Sequence, residues 1–238
     1  MPKITWDDAG ERFYETGVKN GVLYTGTKLT GKDTRYGKGV PWNGLTAVNE
    51  SPSGAEANPI YADNIKYLNL MSNEEFGCTI EAYTYPDEFA DCDGSRMLTS
   101  GLIINQQTRK RFGFCYRTEI GNDEDGIDHG FKLHLIYECL ASPSEKSYAT
   151  MNDSPEAITF SWEVSTTPIA ISGYKDVAHL IIDSRKADST KLATLMDMLY
   201  GTDGSGSETG TDAYLPNPAT VISTLATTAP GEGGGASG

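Results

Sequence analysis

The chain has 238 residues, a formal net charge of −14 and 38% hydrophobic residues. That length holds one sizeable β-rich domain or two small ones. The acidic balance excludes ordinary nucleic-acid binding, which needs basic surface against phosphates, and no run approaches the ~18 apolar residues of a membrane span.

The first residues lack the basic-then-apolar pattern of a secretion signal, so synthesis and retention in the cytoplasm are expected. Cys78, Cys92, Cys115 and Cys139 are widely spaced and form no CxxC pair. They read as buried thiols in a reducing compartment rather than zinc ligands. The charge is uneven: residues 71–130 hold twelve Asp/Glu against five Lys/Arg. An acidic wall of that kind repels a polyanion.

In chain order, Arg12 to Lys19 and Val22 to Thr25 flank Asn20-Gly21, a strong hairpin signal because both turn residues need positive φ. Gly31 to Pro59 has almost no periodicity and reads as a long functional loop. It carries Lys32, Arg35, Tyr36, Lys38 and Trp42, side chains suited to anchoring an interface, and is expected to order on a partner subunit. Ile65 to Leu70 predicts a short strand. Phe76, Cys78, Ile80 and Ala82 alternate with polar residues, which predicts a half-buried strand ended by Pro86. Asp87 to Asp93 predicts one helical turn before Gly94.

Phe112 to Thr118 predicts a strand with Phe112, Phe114 and Tyr116 on one face, followed by an acidic turn over 121–130. Phe131 to Leu140 predicts another, with Phe131, Leu133, Leu135, Tyr137 and Cys139 inward and Lys132, His134 and Glu138 outward. Ile158, Phe160, Trp162 and Val164 alternate with Thr159, Ser161, Glu163 and Ser165, which predicts a strand with one wet face; Val177 to Ile182 follows as a second. Asp188 or Ser189 caps a helix whose Leu192, Leu195, Met196 and Leu199 form one apolar face, with Gly201 at its end. That face is expected to pack on Ile158, Phe160, Trp162 and Val164. Val221 to Leu225 reads as a last strand or edge segment, and 231–238 as a flexible glycine-rich tail. The sum is a mainly β (α+β) fold, a sandwich or barrel with one packed amphipathic helix.

Catalytic signatures fail one by one. Gly26 to Lys32 matches a P-loop start, but Asp33 stands where magnesium needs Ser or Thr. Asn122 to Gly126 puts Gly121 at the first ligand position of a calcium loop and Lys132 where a bidentate Glu belongs. No HExxH or GxSxG occurs, and His129, His134 and His179 lie apart. No catalytic residue, cofactor or metal site is therefore expected. A monomeric carbohydrate-binding module, with Tyr83, Tyr85 or Trp42 stacking on sugars, and a hydrolase whose site assembles only on folding stand as alternatives.

Several long segments carry a resemblance: Trp6 to Tyr24, Val40 to Thr46, Ala62 to Tyr67, Glu81 to Phe89, Phe114 to Asn122, Lys132 to Tyr148, and Asn152 to Pro168. The chain, from residue 1 to about 230, resembles the major tail protein (tail tube protein) of long non-contractile-tailed bacteriophages and related prophages of Gram-positive bacteria. It departs from that pattern in its cysteines, around Arg96-Met97 and in the tail. The resemblance implies a single tail-tube domain over 1–230 and a structural, non-enzymatic role in the virion tail, assembled in the host cytoplasm. It further implies hexameric rings stacked around a tape-measure protein, with tail terminator and distal tail proteins as partners and genome DNA passing through unbound. The loop 31–59 would then bridge subunits, and Glu81, Thr159, Ser161 and Glu163 would be candidates for the lumen or a seam.

Overall fold

The computed structural model describes residues 3–28, 34–151, 153, 156–204 and 209–226. Along the chain run β1 (Tyr14–Lys28), β2 (Thr34–Trp42), β3 (Leu45–Glu50), β4 (Ser53–Gly54), β5 (Ala57–Ala62), β6 (Ile65–Met71), β7 (Glu74–Glu75) and β8 (Gly77–Ala82). After a 3-10 turn (Asp87–Phe89) come α1 (Ala90–Asp93), β9 (Arg96–Thr99), β10 (Leu102–Ile104), β11 (Phe112–Asn122), β12 (Gly126–Ala141), β13 (Phe160–Ser165) and β14 (His179–Asp183). Two helices, α2 (Ser189–Tyr200) and α3 (Pro218–Leu225), close the series. The fold is mainly β, an unclosed antiparallel sandwich. One sheet runs β2-β1-β11-β12-β14; the second runs β13-β8-β3 and joins the first through the end of β12.

The layers follow from which side chains face which way. Leu23, Phe112, Phe114, Tyr116 and Ile136 point between the sheets and meet Trp42, Cys78, Ile80, Phe89, Trp162 and Val164. Val22, Tyr24, Cys115, Leu133, Leu135 and Tyr137 point the other way, where Leu192, Leu195 and Leu199 of α2 and Val221 of α3 cover them. The first sheet is thus buried on both faces, and the order is sheet, core, sheet, core, helices.

Several expectations hold. Cys78, Ile80 and Ala82 are the buried face of β8, and Phe112, Phe114 and Tyr116 share a core. Asp188 caps α2 by accepting from the Thr190 and Lys191 amides, and Gly201 ends it with φ 77°. The 3-10 turn and α1 span 87–93, and Gly94 stops them with φ 81°.

Others are corrected, each for a physical reason. Asn20-Gly21 is not a turn: β1 runs through it as one strand with register shifts on either side of Lys19. Asn20 takes φ 55° as part of a bulge, not of a hairpin. A Cβ on Gly21 would sit 2.3 Å from Leu45 Cδ1, so glycine lets the two sheets meet here. The stretch 31–59 is not a loop, because β2, β3, β4 and half of β5 lie in it; Lys32 is outside the described residues.

Phe131 to Cys139 do not share one face. The pairing Phe112↔Cys139 followed by Phe114↔Ile136 gives β12 one extra residue, and Glu138 sits there with φ 50°. An extra residue inverts the period-two alternation. Tyr137 therefore faces the helices while Cys139 faces between the sheets. His134 and Glu138, read as outward, are both buried.

Trp162 and Val164 do not oppose α2; the first sheet separates them, and Ile158 is exposed outside β13. Val221 to Leu225 is helical. Asn217 caps it by accepting from the Thr220 amide at 2.8 Å, and Pro218 opens it, which overrides the strand preference of Val221 and Ile222. The glycine-rich tail 231–238 lies outside the described residues.

Trp162 centres the inter-sheet core, with Phe89, Tyr85 and Trp42 at ring separations of 5.2, 5.3 and 5.5 Å. Among the described residues its indole nitrogen has no hydrogen-bond partner. Trp162→Ala should destabilise the protein by about 3–5 kcal/mol, read by urea denaturation. Trp162→Phe should cost markedly less, because it keeps a ring and loses no hydrogen bond. Equal losses in the two variants would show that the cavity does not set the cost.

Candidate functional site

One continuous ribbon builds an exposed apolar surface. The pairing of β3 with β8 continues outward as β4 with β7 and then β5 with β6, in one register from Glu50↔Cys78 through Ser53↔Glu75 and Ala57↔Met71 to Ile60↔Leu68. Asp63 and Asn64, both at positive φ, turn the ribbon back as a two-residue hairpin requires. The base of the ribbon is the second sheet, while every residue of β5 and β6 is exposed. Ile60, Leu68 and Leu70 line one face, and Tyr67 and Met71 the other. Tyr67 is 69% exposed and Met71 67%. An isolated two-stranded ribbon is marginal in water, and contiguous apolar exposure marks an interaction surface. A second exposed hairpin, β9 with β10, presents Met97, Leu98, Leu102 and Ile103.

The wet face of the second sheet is polar. Register places Ser161 opposite Glu81 and Glu163 opposite Thr79, with Asn49 beyond Thr79. Asn49 Nδ2 donates to Glu81 Oε1 at 3.2 Å. β3, β8 and β13 contain no lysine or arginine. Glu81, Ser161 and Glu163 thus lie together on one uncompensated acidic face, and Thr159 is exposed just before β13.

The residues expected to anchor a partner are divided. Trp42 is only 3% exposed, and its indole donates to the Thr84 carbonyl at 3.0 Å. The Tyr36 hydroxyl accepts from the Glu138 amide at 2.8 Å, and its ring packs on the helix-side core. Both serve the protein's own interior. Arg35 and Lys38 are exposed on β2, an edge strand, with Lys38 Nζ 2.6 Å from Asp212. Of the aromatics that would stack on sugars, Trp42 is buried and Tyr85 packs against Phe160, Trp162 and Phe89, which leaves Tyr83 exposed.

Folding also assembles a polar cluster that no local motif announces. His134 on β12 and His179 on β14 lie diagonally across paired strands, His134↔Ile181 and Ile136↔His179. Glu50, the last residue of β3, reaches them from the opposite sheet. His134 Nδ1 is 3.2 Å from His179 Nε2 and 3.3 Å from Glu50 Oε1, and His179 Nε2 is 3.8 Å from the same oxygen. The Tyr116 hydroxyl donates to Glu50 Oε1 at 2.7 Å, and the Tyr116 ring stacks on His134. Burial pushes the His179 imidazole down to about 4 and also lowers His134, against the opposing pull of Glu50 on both and of Glu15 on His134. The expectation of no metal ligands rested on the distance between these residues in the chain, which strand pairing removes. Burial meanwhile pushes the thiols of Cys78, Cys92 and Cys115 up to about 12, so they are protonated and unreactive. Among the described residues no helix is long and apolar enough to cross a membrane.

The histidines set a pH limit. Unfolded imidazoles titrate near ~6.5, above the folded values, so the unfolded chain binds more protons in between. Their contribution is full above pH ~6.5 and is lost as pH falls towards 4. In metal-free buffer the melting temperature should decline over that window, and His179→Gln should flatten the decline. The same slope in the variant would refute this assignment.

No family model matches the chain, and no curated protein matches it. Solved structures resemble it at low identity, two of them as follows. One is the sheath/tube terminator of an extracellular contractile injection system (PVC) in the extended state, with 9% identity, 76% of this chain and 99% of that chain covered, and a TM-score of 0.30. The other is the sheath-tube complex of the same type of system, with 11% identity, 76% and 94% covered, and a TM-score of 0.29. Likeness at this level carries no weight on function.

Proposed function

We propose that this chain is a structural subunit of a phage-like tail tube, with residues 1–230 as one tail-tube domain. The observation that carries the reading is the ribbon 51–76. It extends from the second sheet with apolar residues on both faces, and among the described residues nothing of its own subunit covers it. A neighbouring copy would cover it. The open edges at β2 and β3 are hazards for a lone protein but become seams once copies close into a ring. The resemblance of the sequence to siphophage major tail proteins supports hexameric rings stacked around a tape measure, capped by terminator and distal proteins. The acidic face bearing Glu81 and Glu163 would then suit a lumen that DNA passes without sticking. Repulsion reaches about a Debye length, ~8 Å at physiological salt. In this reading the bridging element is the ribbon, which shares only residues 51–59 with the stretch 31–59.

Electron microscopy of the purified chain, alone and with a tail initiator, should show rings or hollow tubes. Replacing residues 56–72 with a short Gly-Ser turn should leave the melting temperature close to wild type, since nothing in β5 or β6 is buried. The same variant should abolish tubes. A wild-type protein that stays monomeric under every condition would sink the proposal, and tubes formed by the shortened variant would sink the role of the ribbon.

A further inference from the structure

We propose that Glu50, His134 and His179 form a site for a zinc-class divalent cation, held by His134 Nδ1, His179 Nε2 and a Glu50 carboxylate oxygen. The three donor atoms are the only such His/Cys/Asp/Glu grouping among the described residues. Two imidazoles and one carboxylate suit zinc and similar first-row ions, whereas magnesium and calcium take oxygen ligands. Tetrahedral zinc with bonds of ~2.0–2.1 Å sets its ligands ~3.3–3.4 Å apart. The observed separations are 3.2, 3.3 and 3.8 Å.

Hydrogen bonding around the cluster points to a cation for a second reason. Thr118 Oγ1 donates to Glu15 Oε1 at 2.7 Å, so towards His134 Nε2, 3.2 Å away, its oxygen accepts. Nε2 therefore carries the ring proton, and His134 Nδ1 presents a lone pair. Glu50 Oε1 accepts from Tyr116 and presents lone pairs as well. A proton on His179 Nε2 bridges to one of these acceptors but not to both. With neutral rings, His134 Nδ1 and Glu50 Oε1 face each other at 3.3 Å as two acceptors. A cation between them removes that conflict. Thr118 and Tyr116 then act as the outer partners that fix a ligand's tautomer and orientation. His134 is 5% exposed, while Glu50 opens to solvent and leaves room for a water as fourth ligand.

The ligands come from β12 and β14 of one sheet and β3 of the other, at the point where the ribbon leaves the body. A bound ion would clip the sandwich together there, whether or not the ribbon meets a neighbouring subunit. The test uses the full chain, stripped with a chelator and titrated with zinc chloride by calorimetry. One saturable site per chain is expected, together with a rise in melting temperature. Cobalt(II) in its place should give the intense visible bands of tetrahedral coordination. Glu50→Gln and His179→Gln should weaken binding by ~100-fold or more, and Thr118→Val by the ~10–100-fold typical of outer partners. Glu50→Gln, at the half-exposed end of a strand, decides the matter if the histidine variant fails to fold. No saturable binding by the wild type, or wild-type affinity in Glu50→Gln (an adventitious ion only, on the acidic surface), would overturn the site.

Discussion

The bulge at Glu138 is the constraint on which the architecture depends. β12 pairs with β11 along most of its length, with β14 over 132–136, and with β13 at its end, so one strand belongs to both sheets. A strand can make that change only by bending, and the extra residue at 137–138 supplies the bend. The bend buries a carboxylate that must be satisfied. The Thr34 amide donates to Glu138 Oε1 at 3.2 Å, Arg111 lies 3.6 Å from Oε2, and Arg111 also donates to the Glu138 carbonyl at 3.0 Å. The Glu138 amide is taken by the Tyr36 hydroxyl. A polar knot therefore holds the corner, and β2 is tied to it through Thr34 and Tyr36.

Two consequences follow from that corner. Both faces of β12 are buried, so the same strand fills both cores, and the bulge sets the directions beyond it: Leu133, Leu135 and Tyr137 meet the helices, and Ile136, Cys139 and Ala141 meet the second sheet. Because it folds the second sheet over the first, it brings β3 across from β12 and β14. That is why Glu50 meets two histidines from the opposite layer, and why the β3–β8 pair has nowhere to continue except outward. The Glu50–His134–His179 cluster and the projecting ribbon share a root at Glu50 and Cys78.

Legibility varied with how local the cause was. The buried face of β8, the strand β11 and the capped helix α2 were plain, since each depends on residues within one element. Asn20-Gly21 misled because positive φ serves a bulge as well as a turn. The return strand of the ribbon, Ile65 to Leu70, is legible as β6, but its partner β5 is not, because Pro59 and the polar residues around it break the pattern, although Asp63-Asn64 is a readable turn. The second helix was signalled by Asn217-Pro218, beneath a β-branched run that pointed the other way. No local signal exists for the Glu50–His134–His179 cluster, whose members lie on three separate strands.

The sequence alone determined the β-rich class, the acidic character, the half-buried alternation of β8 and β13, and the caps of α2. Those are properties of neighbouring residues and of total charge. Only the tertiary structure decided that the first sheet is buried on both faces, that Trp42 and Tyr36 belong to the interior, and that Glu50, His134 and His179 converge. It also decided that the projecting segment is 51–76, which shares only 51–59 with the stretch 31–59. The physical reason is parity: one inserted residue at the bulge reverses every side-chain direction beyond it, and strand pairing, which no local pattern encodes, chooses the neighbours.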